Sequence, residues 1–225
     1  MKKLFVVSAP SGTGKTTLND RLMLEHSGIE KAVSHTTRKP RAGEVDSQSY
    51  HFVTNDIFQS MIDNGEMLEW ANVFGNFYGT SHKEIERLFG KDHDVLLEID
   101  VQGCQSIIRR RPSTVTVFIL PPSVETLWNR LEQRGTDPLN IRWRRFLEAK
   151  HEIEAGYIYE HFIVNDDFER AYSELKSIIL DGKHSSISHK EGLDICRKLM
   201  AEYQTSPLLQ NLKAKFGDDL GLLNV

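Results

Sequence analysis

Ala9-Pro10-Ser11-Gly12-Thr13-Gly14-Lys15-Thr16-Thr17 follows the apolar run Leu4 to Val7 and opens a stretch with Leu18, Leu22 and Leu24 at helical spacing. Strand, glycine loop and helix in that order form the context a phosphate-binding loop needs. Gly12 and Gly14 can take backbone conformations closed to residues with side chains, so successive N–H groups converge on phosphate oxygens at the positive end of the helix. Lys15 can reach the β and γ phosphates of a nucleoside triphosphate, and the Thr16 hydroxyl is placed to ligate Mg²⁺. Ala9 stands where the usual pattern has glycine.

Outward from that loop, buried strands are expected at Val95 to Ile99, Val115 to Leu120 and Phe162 to Val164, with helical patterns between them. Such alternation predicts an α/β fold, a parallel sheet core flanked by helices. Two segments break the alternation. Ser34 to Ser81 carries Arg38, Arg41, Tyr50, Tyr78 and glycine-containing turns, and reads as an inserted subdomain. Ser123 to Tyr157 is helical in pattern, carries Arg130, Arg134, Arg142, Arg144 and Arg145 around Gly135, and reads as a mobile arm. Beyond Gly182, Leu193, Cys196, Leu199, Met200 and Tyr203 at helical spacing precede a Ser206-Pro207 break and predict a terminal helix pair. Packing on the parent core is the first reading of its apolar stripes, a homodimer contact the second.

Composition narrows the partners. The 28 Lys and Arg against 32 Asp and Glu give a formal charge of −4, with no global attraction to nucleic acid or an acidic membrane. Cys104 and Cys196 are the two cysteines and lie outside any C-x-x-C pattern, which fits a reducing cytoplasm better than a disulfide framework or a thiolate zinc site. No stretch approaches the roughly 20 apolar residues of a membrane span, so a soluble protein is expected.

Arg38 and Arg41, three residues apart, present two guanidinium forks suited to a dianionic monophosphate. Glu66, Glu69, Thr80 and Ser81 add carboxylates and hydroxyls that can accept from and donate to a base edge. Glu98 and Asp100, at alternate positions of the expected strand end, share one face.

From Leu4 to about Gly182 the chain resembles the guanylate kinase family through A-P-S-G-T-G-K-T-T, H-T-T-R-K-P-R-A-G-E-V-D, E-W-A-N-V-F-G-N-F-Y-G-T, L-L-E-I-D-V-Q-G, P-P-S, R-L-E-Q-R-G-T-D and I-V-N-D-D. The resemblance implies a P-loop NTPase-type core over residues 1–33, 82–122 and 158–183, a GMP-binding subdomain over 34–81 and a lid over 123–157, with a C-terminal helical extension over 184–225 outside it. It implies transfer of the γ-phosphoryl group of ATP to GMP, giving ADP and GDP in purine metabolism, with Mg²⁺ and the small molecules ATP and GMP as the partners. Ser34, Arg38, Arg41, Tyr50 and Tyr78 match the groups that hold the GMP phosphate, and Glu69, Thr80 and Asp100 those that read guanine. Thr16 and Glu98 match the metal side. Ala9 to Thr17 and Asn165 match the ATP site, and Lys15, Arg41, Arg134 and Arg145 the charge-neutralising set. Arg142 stands where the family has an apolar residue and receives no role.

Two alternatives stay open at this point: a kinase of another monophosphate, and a related binding module that grips a phosphopeptide. Glu69, Thr80 and Asp100 count against the first, and Lys15 against the second, since such modules typically lack a working cradle. His184 and His189 read as surface histidines without a ligand set, and His35 and His82 carry no derivable role.

Overall fold

In a computed structural model that describes residues 2–216 apart from Ala42, Phe74, Arg134, Thr136 and Asp137, the chain alternates strands and helices. The elements are β1 (Leu4–Ser8), α1 (Lys15–Glu25), β2 (Ile29–Lys31), β3 (His35–Thr36), β4 (His51–Phe52), α2 (Asn55–Asp63), β5 (Met67–Val73), β6 (Asn76–Ser81) and α3 (His82–Gly90). They continue with β7 (Asp94–Leu97), α4 (Val101–Arg110), β8 (Val115–Leu120), α5 (Val124–Gln133), α6 (Leu139–Glu154), a 3-10 turn (Ala155–Ile158), β9 (His161–Val164), α7 (Phe168–Asp181), α8 (His189–Thr205) and α9 (Pro207–Phe216). Two units divide the chain, one of Met1–Val7 and Met23–Thr116, the other of Ser8–Leu22 and Val117–Val225.

In the first unit β7 lies between β1 and β2, parallel to both, with Phe5 opposite Leu96 and Glu30 opposite Val95. Phe5, Val6, Val95 and Leu96 are wholly buried, as a parallel strand covered on both faces requires. A second, smaller sheet runs β4-β3-β6-β5 inside the expected insertion. The strands β3 and β4 are too short to register in the sequence, and β5 and β6 mix polar and apolar residues without a continuous apolar run. Thr54, Ser81 and Asp100 each cap the helix that follows them through a side-chain oxygen.

The strand expected over Val95 to Ile99 is shorter. β7 ends at Leu97, so Glu98 and Asp100 lie beyond the strand and strand alternation does not explain their common side. The Asp100 carboxylate instead accepts from Gly103 N–H at 2.9 Å and starts α4.

In the second unit β8 and β9 pair in parallel from Val117 opposite His161 to Leu120 opposite Val164. Helices α5 and α6 bury Trp128, Trp143 and Phe146 against one another, with Trp128 and Phe146 ring centroids 5.3 Å apart. Helix α8 joins this cluster: Tyr203 packs 5.0 Å from Phe146 and its hydroxyl donates to the Phe146 carbonyl at 2.9 Å. Glu202 accepts from Val124 N–H at 2.8 Å, and Gly192 lets α8 approach the Phe162 ring so closely that a Cβ there would lie 2.3 Å from it. Among the described residues no helix is long and apolar enough to cross a membrane.

Candidate active site

The glycine loop between β1 and α1 takes the shape its sequence requires. Gly12 and Gly14 have φ of 93° and 96°, in the left-handed region that favours glycine, and Lys15 is the first residue of α1. The loop is braced from behind by groups distant in sequence. Asn165 Nδ2 donates to the Thr13 carbonyl at 2.7 Å, and Arg130 donates to the Thr13 carbonyl at 3.4 Å and the Asn165 carbonyl at 2.9 Å. Asn165 is buried and sits where a Cβ on Gly14 would come within 2.6 Å of its amide. Arg145 Nη1 reaches the Ser11 hydroxyl at 3.4 Å. Arg142, without a role in the sequence, lies 3.6 Å from Glu132 and links α6 to α5. Asp167 caps α7, while Asp166 pairs with Arg170.

A second locus lies wholly within the first unit. A cavity there is lined by Ser34, Tyr50, Glu69, Ala71, Val73, Tyr78, Gly79, Glu98, Ile99 and Asp100. Ser34 and Thr80 hydroxyls lie 3.1 Å apart. Tyr50 and Tyr78 meet edge to face at 5.9 Å, and the Arg38 guanidinium stands 5.5 Å over the Tyr50 ring. Arg38 donates from Nε to the Tyr78 hydroxyl at 3.1 Å and grips Glu44 with both arms at 3.0 and 2.8 Å. Glu44 also accepts from Arg41 N–H at 2.7 Å, and the Arg38 hydrogen bonds hold its carboxyl below the usual carboxylate range. The Arg41 side chain is exposed.

Glu69 is the unusual group of this cavity. It is 3% exposed, and its Oε1 is buried with no hydrogen-bond partner. Burial raises its carboxyl to about 7, with the Asp100 charge acting in the same direction and the Thr80 hydroxyl against it. An unsatisfied buried acceptor costs about 1–3 kcal/mol until a donor reaches it. Glu98 lies 3.5 Å from Lys31 Nζ, so its carboxylate faces the cavity already partly neutralised.

A family model described as guanylate kinase matches residues 1–182. The chain belongs to the guanylate kinase family. Relatives named guanylate kinase include one from Neisseria gonorrhoeae, 47% identical over 176 residues that cover 78% of this chain and 86% of the relative. Another, from Alkalilimnicola ehrlichii, is 46% identical over 181 residues, 80% of this chain and 89% of the relative. The crystal structure of guanylate kinase from Anaplasma phagocytophilum superposes with a TM-score of 0.65 at 30% identity, over 97% of each chain. The family model stops short of α8 and α9, whereas that structural match runs through most of them. As a member of the guanylate kinase family the chain is a nucleoside monophosphate kinase, a transferase.

Of the residues singled out in the sequence, Ser34, Tyr50, Glu69, Tyr78, Glu98 and Asp100 line one cavity, with Thr80 bonded to Ser34 beside it. Arg134 lies outside the described residues. Arg110 carries no sequence signal, and Glu44 and Arg130 have no individual role in the sequence beyond a motif position and a place among the arm's arginines, because the partners of all three are set by the fold. His35 is half-buried, its ring 4.6 Å from that of His51, and is held neutral, its pKa pushed down to about 4 by desolvation and then by His51. Glu160, His161 and His184 bring metal-ligand atoms within 4.8 Å of one another. Ser185 N–H donates to His161 Nδ1 at 3.4 Å, however, which makes Nε2, on the Glu160 side, the protonated nitrogen with no lone pair for a metal.

Proposed function

We propose that this guanylate kinase family member transfers the γ-phosphoryl group of ATP to GMP, reading guanine with Glu69, Thr80 and Asp100. The observation that carries the base assignment is the buried, unpartnered Oε1 of Glu69 in a cavity that also contains Asp100. Guanine offers N1–H and an exocyclic amine on adjacent atoms. Two carboxylates in their ionised forms accept from those donors, whereas adenine presents an acceptor at N1 and leaves a carboxylate unmatched. Thr80 supplies the hydroxyl for O6 or N7.

The phosphate of GMP goes to Ser34, Arg38, Arg41, Tyr50 and Tyr78. Arg38 is already fixed in orientation by Tyr78 and Glu44, so phosphate capture exchanges Glu44 for a dianion on the same fork. On the triphosphate side, Ala9, Pro10, Ser11, Gly12, Thr13 and Gly14 wrap the phosphates with backbone N–H groups. Lys15 binds the β and γ oxygens, Thr17 continues the first helical turn, and Asn165 keeps the loop in shape. Thr16 and Glu98 offer oxygen donors that suit a hard divalent cation, and Mg²⁺ bound with ATP would neutralise phosphate charge there. The attacking oxygen of GMP is anionic near neutral pH and needs no dedicated base. Lys15, Arg41, Arg134 and Arg145 stabilise charge on the transferring group, so positioning and electrostatics supply the rate. Cys104 and Cys196 are free and buried, which fits a cytoplasmic setting, where thiols stay reduced.

A coupled ADP-release assay with Lys15→Ala tests the transfer reading. Turnover should fall by orders of magnitude with an unchanged circular dichroism spectrum, and near-normal turnover would remove the cradle assignment.

A further inference from the structure

We infer that Arg110 is a positioning residue for base recognition: from the last turn of α4 it pins the interrupted stretch of β5 that aims Glu69 into the cavity. The inference rests on the proposed role of Glu69 as the acceptor for guanine.

The β5–β6 ladder is irregular at one place. Met67 pairs with Ser81 and Glu69 with Thr80, so Leu68 is an extra residue on β5. A bulge of this kind leaves the ladder locally disrupted and bends the strand. Glu69 shares the cavity face with Ala71 and Val73 at period two, so the irregular backbone at Met67 and Leu68 is the point from which that face begins. Arg110 Nη1 donates to the Met67 carbonyl and to the Leu68 carbonyl, each at 2.8 Å, which is where the ladder is broken. Charge-assisted bonds to two successive carbonyls hold that irregular backbone in a single conformation. The same guanidinium charge opposes the burial that raises the Glu69 carboxyl and favours the ionised form that accepts from guanine.

Helix α4 thus contacts the acceptor pair at several points. Its N-cap is Asp100, the second carboxylate of the cavity. One turn in, Gly103 leaves room for Glu69 Oε2, which a Cβ would approach to 2.7 Å. Its last residue, Arg110, fixes the strand that carries Glu69. A single rigid helix therefore sets the spacing between the two carboxylates that read the base.

Steady-state kinetics with both substrates varied, on Arg110→Ala, Arg110→Lys and Glu69→Gln, test this. For R110A the KM for GMP should rise about 3- to 10-fold while kcat and the KM for ATP stay within about twofold. The acid limb of kcat/KM for GMP should move to higher pH, and R110K, which keeps donors for both carbonyls, should recover most of the loss. An unchanged KM for GMP in R110A, or equal deterioration toward both substrates, would overturn the inference. If R110A does not fold, Arg110→Met, which keeps the aliphatic stem, decides by the same criteria. A normal KM for GMP in E69Q would instead remove the base reading itself, so the two failures are distinguishable.

Discussion

The side-chain amide of Asn165 donates to the Thr13 carbonyl at 2.7 Å across 152 residues of chain, fixing the glycine loop from the end of β9. Both groups are buried, so the bond has no water to replace it. Asn165→Ala should raise the KM for ATP about 5- to 30-fold, by loss of a buried hydrogen bond worth about 1–2 kcal/mol. Asn165→Asp should be worse than alanine, because a carboxylate then faces a carbonyl. An unchanged KM for ATP in both variants would mean that the amide does not shape the loop.

At Gly103 the predicted effect falls on the other substrate. A Cβ there would come within 2.7 Å of Glu69 Oε2 and 3.2 Å of Ile99 Cβ. Gly103→Ala, in the middle of a helix that alanine favours, should displace the carboxylate and raise the KM for GMP about tenfold with little change for ATP. A variant with normal GMP kinetics would show that the cavity has more slack than these distances allow.

The pH dependence of GMP use follows from Glu69. Its carboxyl, raised by burial to about 7 from a usual value of 4.5, must be ionised to accept from guanine. Protonation therefore removes binding as pH falls through 7, and the KM for GMP should rise up to about tenfold per unit below it. The sign for folding is opposite: the folded state holds this proton more tightly than the unfolded chain. That contribution to stability is present below pH 4.5 and is lost as pH rises toward 7. The GMP phosphate itself titrates near pH 6 by analogy with other phosphate monoesters, at about the same range. Glu69→Gln serves as the control: its profile should keep only the limb due to the substrate, and an unaltered profile would assign the limb elsewhere.

For the C-terminal helices the prediction concerns stability. A Cβ at Gly192 would meet the Phe162 ring at 2.3 Å, a clash that only movement of α8 relieves. Gly192→Ala should lower the melting temperature by about 3–8 °C without changing either KM. A chain ending at Gly182 loses the Tyr203 and Glu202 contacts to α6 and α5, and should unfold at still lower temperature while keeping its chemistry wherever it remains folded. Loss of turnover in a folded truncation would give α8 a role in the reaction.

How much of this was legible in the sequence depends on how far each feature reaches along the chain. The phosphate loop is contiguous, and Gly12 and Gly14 adopt the positive φ that their place in it demands. The strands Leu4–Ser8, Val115–Leu120 and His161–Val164 are continuous apolar runs of the kind that announces a parallel sheet. Glu98 and Asp100 were singled out through a strand face, whereas the structure brings them to the cavity by a strand end and a helix cap. Arg130, Arg110 and Glu44 could not be distinguished from solvated charges, since their partners Thr13, Met67, Leu68 and Arg38 become neighbours only when the chain folds. The Leu68 bulge has no sequence mark: Glu69 keeps the period-2 face of Ala71 and Val73, and the interruption just before it shows only in the pairing with β6.

The most direct test is a substrate panel: ADP release from ATP measured with GMP, AMP, CMP, UMP and dTMP under identical conditions. Guanine recognition by Glu69, Thr80 and Asp100 predicts kcat/KM for GMP at least about 1,000-fold above the others, as expected where a buried acceptor is left unmatched by the wrong base. AMP turning over as fast as GMP would contradict it.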